Sequence, residues 1–551
     1  MTEATARRAD SGNLDLCGGA LRVLDHNELF GLEEYVEQHT AKRELEAAPS
    51  DEEVEQTLAW SRGWEYRERN FAREALVINP LKACQPLGAV LAALGFAGTL
   101  PYVHGSQGCV AYFRSHLSRH FKEPVPAVSS SMTEDAAVFG GQANLIEGIE
   151  NARALYNPEM IAISTTCMAE VIGDDVKMFL GSAEQAGAMP VGFPAPFANT
   201  PSFVGSHLTG YDSMLFSILS LLTAGASEEP STDLAVDQVD VAGEQVDTAA
   251  DLAVGSTGPA RPRINMLPGF DPYVGNVREM RRLLGRLGVD VTVLGDHSDA
   301  LDSPADGEYH LYPGGTPLAD VAAAPGALAS LPLQAFSTRR SRGLIRDTWQ
   351  QEVLDVAPPI GIRNTDAMLM EVARVTSVEI PAEVTAERGR VIDAITDSHP
   401  YVHGKRVAVA GDPDLVLGLL SFLLELGVEP THVLCTSGDA EFERAAYEVL
   451  HASPYGAHAT VWTGKDAWHL RSLVLTEPVD LIIGPSHLKG VAREADVPLV
   501  RFGFPVFDRH HLHRYPIVGY AGALNLLTWI VNAVLEELDR KAPDYALDII
   551  R

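Results

Sequence analysis

The feature that most limits how this chain can fold is a recurring short run of apolar residues without polar alternation. Met160-Ile-Ala-Ile-Ser164 is one, and Arg263–Leu267, Val291–Leu294, Arg406–Ala410, His432–Cys435, Thr460–Trp462, Leu481–Ile483 and Leu499–Phe502 are others. A strand with one wet face alternates, whereas a run that is apolar throughout belongs to a strand covered on both faces. Helix-like stretches, such as Val277–Leu287 and Asp414–Leu426, lie between these runs. Buried strands alternating with helices build parallel sheets. The pattern recurs in three blocks, 76–225, 261–395 and 396–551, the last ending in a C-terminal tail. The predicted fold is therefore α/β, with three parallel-sheet, Rossmann-like domains. In such sheets ligands bind at loops beyond the strand C-termini, and Cys167 follows one of the runs.

Two segments fall outside this pattern. Residues 1–75 are polar and helix-prone, with Trp60, Trp64 and Tyr66 as candidate anchors. They read as an N-terminal helical extension that wraps a body and has no core of its own. Residues 226–260 hold eight acids and no Lys or Arg, and end in Gly-Ser-Thr-Gly-Pro. That composition reads as a solvated, flexible acidic insertion. The three- and four-residue spacing of its acids leaves a short surface helix as the alternative.

Charge and cysteine usage exclude several function classes. The formal charge of −32, from 42 basic and 74 acidic residues, argues against nucleic acid and anionic membranes as partners. No apolar run is long enough to span a bilayer. The first ten residues lack the apolar centre of a secretion signal, so a cytoplasmic location is expected. Five cysteines in 551 residues make no disulfide framework, and none form Cys-x-x-Cys. Neither GxGxxG nor GxxxxGK[ST] occurs, so nicotinamide and P-loop chemistry both lose weight.

Three cysteines sit in loops rich in Gly, Ser and Thr: Cys84 in Lys-Ala-Cys-Gln-Pro-Leu-Gly, Cys109 in His-Gly-Ser-Gln-Gly-Cys, and Cys167 in Ser-Thr-Thr-Cys-Met-Ala-Glu. By spacing alone, three buried structural thiols are the simpler reading. The flanks point elsewhere. Gly105, Ser106 and Gly108 would let backbone N–H groups approach an electron-rich sulfide cluster, and Thr165 and Thr166 would add hydroxyl donors. Cys17 and Cys435 lack such flanks, and Cys435 reads as core. His510, His511 and His513 suggest metal ligands at first sight. Adjacent residues do not face one another, so hydrogen-bonded interface histidines are the simpler reading. Ser131 and Glu134 form a capping signature ahead of a segment that ends in Gly140-Gly141, which makes Phe139 a docking candidate if exposed.

Together these segments resemble the beta chains of nitrogenase molybdenum–iron proteins. The strings that carry the resemblance are Asn79–Val90, Pro101–Ser115, Ser131–Gly141, Ser164–Asp175, Thr200–His207 and Phe502–Arg514. The similarity runs from about Trp60 to the C-terminus. It implies three parallel α/β domains within an α2β2 heterotetramer. It also implies that Cys84, Cys109 and Cys167 are this chain's ligands to an eight-iron, seven-sulfur P-cluster shared with an alpha subunit. Ser202 matches a serine that can join the iron when the cluster is oxidised. Phe139 matches the docking surface for a separate, ATP-hydrolysing iron protein, with Val171 and Ile172 beside it. The molybdenum cofactor that reduces dinitrogen would belong to the alpha chain, so this chain would relay electrons and would not be active alone.

The resemblance further implies a calcium- or iron-type metal site between two beta subunits. Glu123, the Lys122 carbonyl and Asp366 match its contributors, but Arg363 stands where an acid is expected. Other departures are the acidic insertion, a longer N-terminus and a shorter segment around Gly484–Asp496. The competing assignments are a scaffold for cofactor assembly and the equivalent subunit of a vanadium or iron-only nitrogenase. Ser202 and the N-terminal extension speak against the first, and the long N-terminal arm against the second. A plain α/β binding protein with core thiols is the remaining alternative.

Overall fold

The computed structural model describes residues 31–33, 36–37, 48–225 and 261–543. The acidic insertion at 226–260 and Cys17 lie outside the described residues. The chain divides into two compact units at Tyr66/Arg67. In the first, Ser50 caps the helix Asp51–Ser61 by a capping box, and its backbone N–H donates to Glu53 at 2.8 Å. Trp60 and Tyr66 meet edge to face, 4.9 Å between centroids.

The second unit holds three parallel sheets. The strands are β1 Thr99–His104, β2 Val128–Ser129, β3 Met160–Thr165, β4 Phe197–Ala198, β5 Arg263–Leu267, β6 Asp290–Val293, β7 Ala329–Pro332, β8 Glu352–Val353, β9 Arg406–Ala410, β10 Glu429–Cys435, β11 Thr460–Thr463, β12 Leu481–Gly484 and β13 Leu499–Arg501. Their orders are β2-β1-β3-β4, β6-β5-β7-β8 and β11-β10-β9-β12-β13, and every pairing is parallel.

All eight apolar runs read from the sequence are strands, within a residue or a few at each end. Four of the five others are less legible, for physical reasons. β2, β4 and β8 are two residues long and carry no pattern. β1 contains Pro101, which normally argues against an inner strand. Here β2 reaches only Tyr102 and Val103, so at Pro101 the strand has a ladder partner on the β3 side alone.

The three blocks are fused. One apolar core joins the first and second sheets through Leu87, Val103, Leu215, Leu267 and Phe270, and another joins the second and third through Ile264, Val409 and Phe422. Buried carboxylates also stitch the blocks together. Asp212 accepts from the Arg340 and Ser341 N–H groups at 2.6 and 3.0 Å, Asp414 from the Phe336 N–H at 3.0 Å, and Asp412 pairs with His207 at 3.1 Å.

The closest packing is between the helices Gln85–Leu94 and His207–Leu222. A Cβ on Gly88 would lie 1.7 Å from the His207 carbonyl oxygen, and one on Gly210 would lie 1.9 Å from that of Gln85. Gly88→Ala should therefore force the helices apart, lowering stability by about 1–3 kcal/mol and the thermal midpoint with it. Gly181→Ala is the control. It lies in the helix Val176–Gln185 with nothing within 4 Å of an added Cβ, and it should be neutral to slightly stabilising.

Candidate metal-cluster site

Sheet order brings the cysteine loops together. His104 pairs with Thr165 at the ends of β1 and β3, so the chain leaves toward Cys109 and toward Cys167 from neighbouring points. Ser164 pairs with Ala198, which sets the Ser202 loop beside them. Cys84 arrives separately, as the N-cap of the helix Gln85–Leu94, buried against the His207 helix. Cys109 is in the first turn of the helix Gln107–Phe121, and Cys167 opens the helix Cys167–Ile172. All three thiols thus stand at the starts of helices.

The thiols are neighbours in a row: Cys84 lies beside Ser202 and in electrostatic reach of Cys109, and Cys109 in reach of Cys167. Cys84 is buried, Cys109 half-buried and Cys167 exposed, so the row opens toward one face. Among the described residues no three His, Cys, Asp or Glu side chains converge on one point. A single ion needs such convergence, whereas a row of thiols suits a many-iron cluster, whose irons are spread over several ångströms.

Residues not singled out from the sequence hold the row in place. The Gln85 side-chain amide donates to the Pro201 and Val204 carbonyls at 3.0 and 2.9 Å, bracketing Ser202. On the other side, the Thr165 hydroxyl accepts from the Thr200 N–H at 2.8 Å and donates to Glu170, while the Thr200 hydroxyl donates to the Thr165 carbonyl at 2.6 Å. Thr165 is therefore committed to the loop and is no donor to a cluster. The buried Thr166 hydroxyl beside Cys167 has no partner.

The glycines also act differently from expectation. The Gly105 N–H is taken by Ser130 and the Gly108 N–H by the Ser106 hydroxyl. What Gly105 provides is room: a Cβ there would sit 2.0 Å from the Thr166 hydroxyl oxygen. Three thiols, a serine beside one of them and an unpartnered buried hydroxyl together fit an iron–sulfur group.

The docking candidates lie next to this site. The helices Glu134–Phe139 and Cys167–Ile172 pack through Met132, Ala136 and Ala169. Phe139 is 86% exposed and Val171 74%, and Val138, not anticipated, is 75% exposed. Ile172 is half-buried beneath them. The Ser131 cap is a correction. Thr133 is the N-cap and makes no side-chain cap bond, while Ser131 has a left-handed φ of 53° and spends its N–H on Ser129. The platform is held from below by buried His104, which reaches Ser130 at 3.0 Å and Asp174 at 2.9 Å, while Asp174 also accepts from the Gly141 N–H at 3.1 Å.

The remaining candidates separate from the thiols. Asp366 accepts from Arg388 at 2.8 Å and from the Tyr520 hydroxyl at 2.6 Å. That environment suits a guanidinium and does not fit a second cation. Glu123 lies 4.0 Å from Arg514, and Lys122 ends its helix with a φ of 65°. Buried His513 packs against Phe121 and His120, its Nε2 without a hydrogen bond, so the histidine triplet is packed by its rings more than by hydrogen bonds. Cys435 is fully buried, as core.

Residues 84–535 match the family described as nitrogenase component 1 type oxidoreductase. Residues 16–70 match a family of unknown function. The chain is 58% identical over 531 residues to the nitrogenase molybdenum-iron protein beta chain of Frankia alni, covering 96% of each. It is 47% identical over 536 residues to the beta chain of Azotobacter vinelandii, covering 95% of this chain and 98% of that one. The chain belongs to the nitrogenase molybdenum–iron protein beta chains. A solved structure titled nitrogenase Cp1 at pH 6.5 superposes with a TM-score of 0.77 at 36% identity, covering 87% of this chain and 98% of the other. The chain is thus an oxidoreductase component of nitrogenase with an α/β fold, and among its described residues no helix is long and apolar enough to cross a membrane.

Two outcomes test the site's construction. Gln85→Leu strands two carbonyls and should lower stability by about 1–3 kcal/mol, read by thermal unfolding. Burial pushes the Cys84 thiol up to about 11 and raises Cys109 as well. Both are then protonated near neutrality, and iron must displace those protons. Iron uptake by the cluster-free protein should therefore strengthen steadily from about pH 6.5 to 8.5, with proton release, because ligand deprotonation favours the metal. Uptake that is flat with pH would contradict this.

Proposed function

We propose that this chain, with an alpha subunit in an α2β2 heterotetramer, holds a P-cluster on Cys84, Cys109 and Cys167. In this reading it relays electrons from an iron protein toward a molybdenum cofactor on the alpha chain, for reduction of dinitrogen. The observation that carries the reading is the row Ser202–Cys84–Cys109–Cys167 at the open end of the first sheet. Three thiolates are half of what an eight-iron cluster needs, and the exposed Cys167 end is where a second chain would complete it. When bound, such a cluster supplies reversible one-electron storage.

This chain's own part is to bind and to move protons. Cys84 and Cys109 give up protons to bind iron. The Ser202 hydroxyl, held by the Gln85 bracket, loses its proton if it joins the iron, which couples electron loss to proton release. Phe139, Val171 and Val138 form the apolar patch on which the iron protein would dock, with ATP hydrolysed on that partner. Residues 1–75 would wrap the alpha subunit, and the three sheets at 76–225, 261–395 and 396–551 would be the three domains. A cytoplasmic location belongs to the same reading. For the metal site between beta subunits, the Arg388 and Tyr520 contacts of Asp366 favour an empty position on this chain's side.

Purification with the alpha partner under anaerobic conditions tests the reading. Cys109→Ala should lower iron content and abolish dinitrogen reduction, and unchanged iron with normal electron transfer would refute it. Phe139→Ala, at an exposed position, should leave the unfolding midpoint within about 0.5 kcal/mol of the parent. It should weaken the iron protein's saturation of activity roughly tenfold, as loss of an apolar anchor does.

A further inference from the structure

A cavity of about 290 Å³ lies under the loop that leads into Cys84. Its ionisable lining is Lys82, Tyr112, His116, Arg119, His207 and His487, and no carboxylate lines it. That is unexpected in a chain with 74 acidic and 42 basic residues. The nearest acids are occupied. Asp508 is chelated by Arg501 and Ser486, and Asp412 stands behind His207, which spends its Nε2 on it. The Nδ1 atoms of His207 and His487 are buried and have no partner, and His207 is 2% exposed. Among the described residues Lys82 and Arg119 make no ion pair. Arg119 lies over the Phe507 ring at 4.5 Å. Burial holds the His116 imidazole down at about 4, with His487, Arg119 and His207 close around it, so a neutral ring and the Arg119 cation share one small volume.

Lys82 is a half-buried cation without a counter-charge, with the exposed Arg119 beside it in the same lining; such a cation is costly and is normally retained where an anion completes it. Arg and Lys together recognise oxyanions, Arg by its planar fork and Lys as a point charge. We propose that this cavity binds an anionic oxygen group, of carboxylate or phosphate class, on Lys82 and Arg119. The two sources of that chemistry are a free anion and a carboxylate of the alpha subunit. The second source rests on the subunit partnership proposed above. The cavity itself does not depend on a cluster being present.

The test uses the purified complex, with inorganic phosphate as the probe and chloride at equal ionic strength as the control. The charge-removing pair Lys82→Met/Arg119→Gln is compared with the charge-keeping pair Lys82→Arg/Arg119→Lys. If the anion is free, phosphate raises the thermal midpoint of the parent and of the charge-keeping pair. In the charge-removing pair half-saturation weakens roughly tenfold or more. If the anion is the partner's carboxylate, phosphate has no effect. Subunit dissociation in sedimentation then rises roughly tenfold in the charge-removing pair only. Lys82→Met alone covers the case in which the double variant fails to fold. A cavity that holds only water leaves phosphate response and subunit association alike in both pairs, and that result overturns the proposal. Iron content, measured in parallel, separates its failure from failure of the cluster reading.

Discussion

The candidate site depends on one backbone contact. The helices Gln85–Leu94 and His207–Leu222 cross so closely that Gly88 and Gly210 have no room for a Cβ. The first of these helices starts at Cys84, and the second starts five residues after Ser202. The crossing therefore fixes a thiol and a hydroxyl that are 118 positions apart in the chain. Gln85 adds the fine adjustment, bonding the carbonyls on either side of Ser202. A small residue on each helix sets the distance, and one amide sets the orientation.

Around this crossing the three sheets meet with carboxylates buried between them. Burial pushes Asp414 up to about 7, against the pull of the backbone N–H groups at Ala335, Phe336 and Ser337. Asp212 is likewise raised by burial while it caps the helix Arg339–Asp347. Each carboxylate ties one block to the next through N–H groups that would otherwise be orphaned. The junction is therefore specific as well as apolar, and it supports the floor on which the cysteine loops stand.

The two short helices that carry Phe139 and Val171 follow the same logic at lower cost. Two short helices share a small apolar contact, and a buried His104–Asp174 pair holds the turn between the Phe139 helix and the one after it. The result is an exposed phenylalanine and valine, with Cys167 at the start of the valine's helix. Apolar side chains left at the surface on well-held backbone are what a transient partner needs.

Much of this was legible in the sequence. Continuous apolar runs are strands covered on both faces because only such strands can do without polar alternation, and each of the eight read this way is a strand. The three cysteine loops and Phe139 announced themselves by residue type and flanking glycine. What the sequence could not show was which side chain answers which. Thr165, expected to serve a cluster, is consumed by Glu170 and Thr200, while Thr166 is left unpartnered. Ser131 is displaced from its cap by a left-handed turn. Gln85, Asp174 and the basic cavity under the loop before Cys84 carry no local signal, because their partners lie tens to hundreds of positions away. Residue chemistry and short-range periodicity determined the strands and the thiols; tertiary packing alone decided their distances, since it is non-local contact that selects among hydrogen-bond partners of equal local merit.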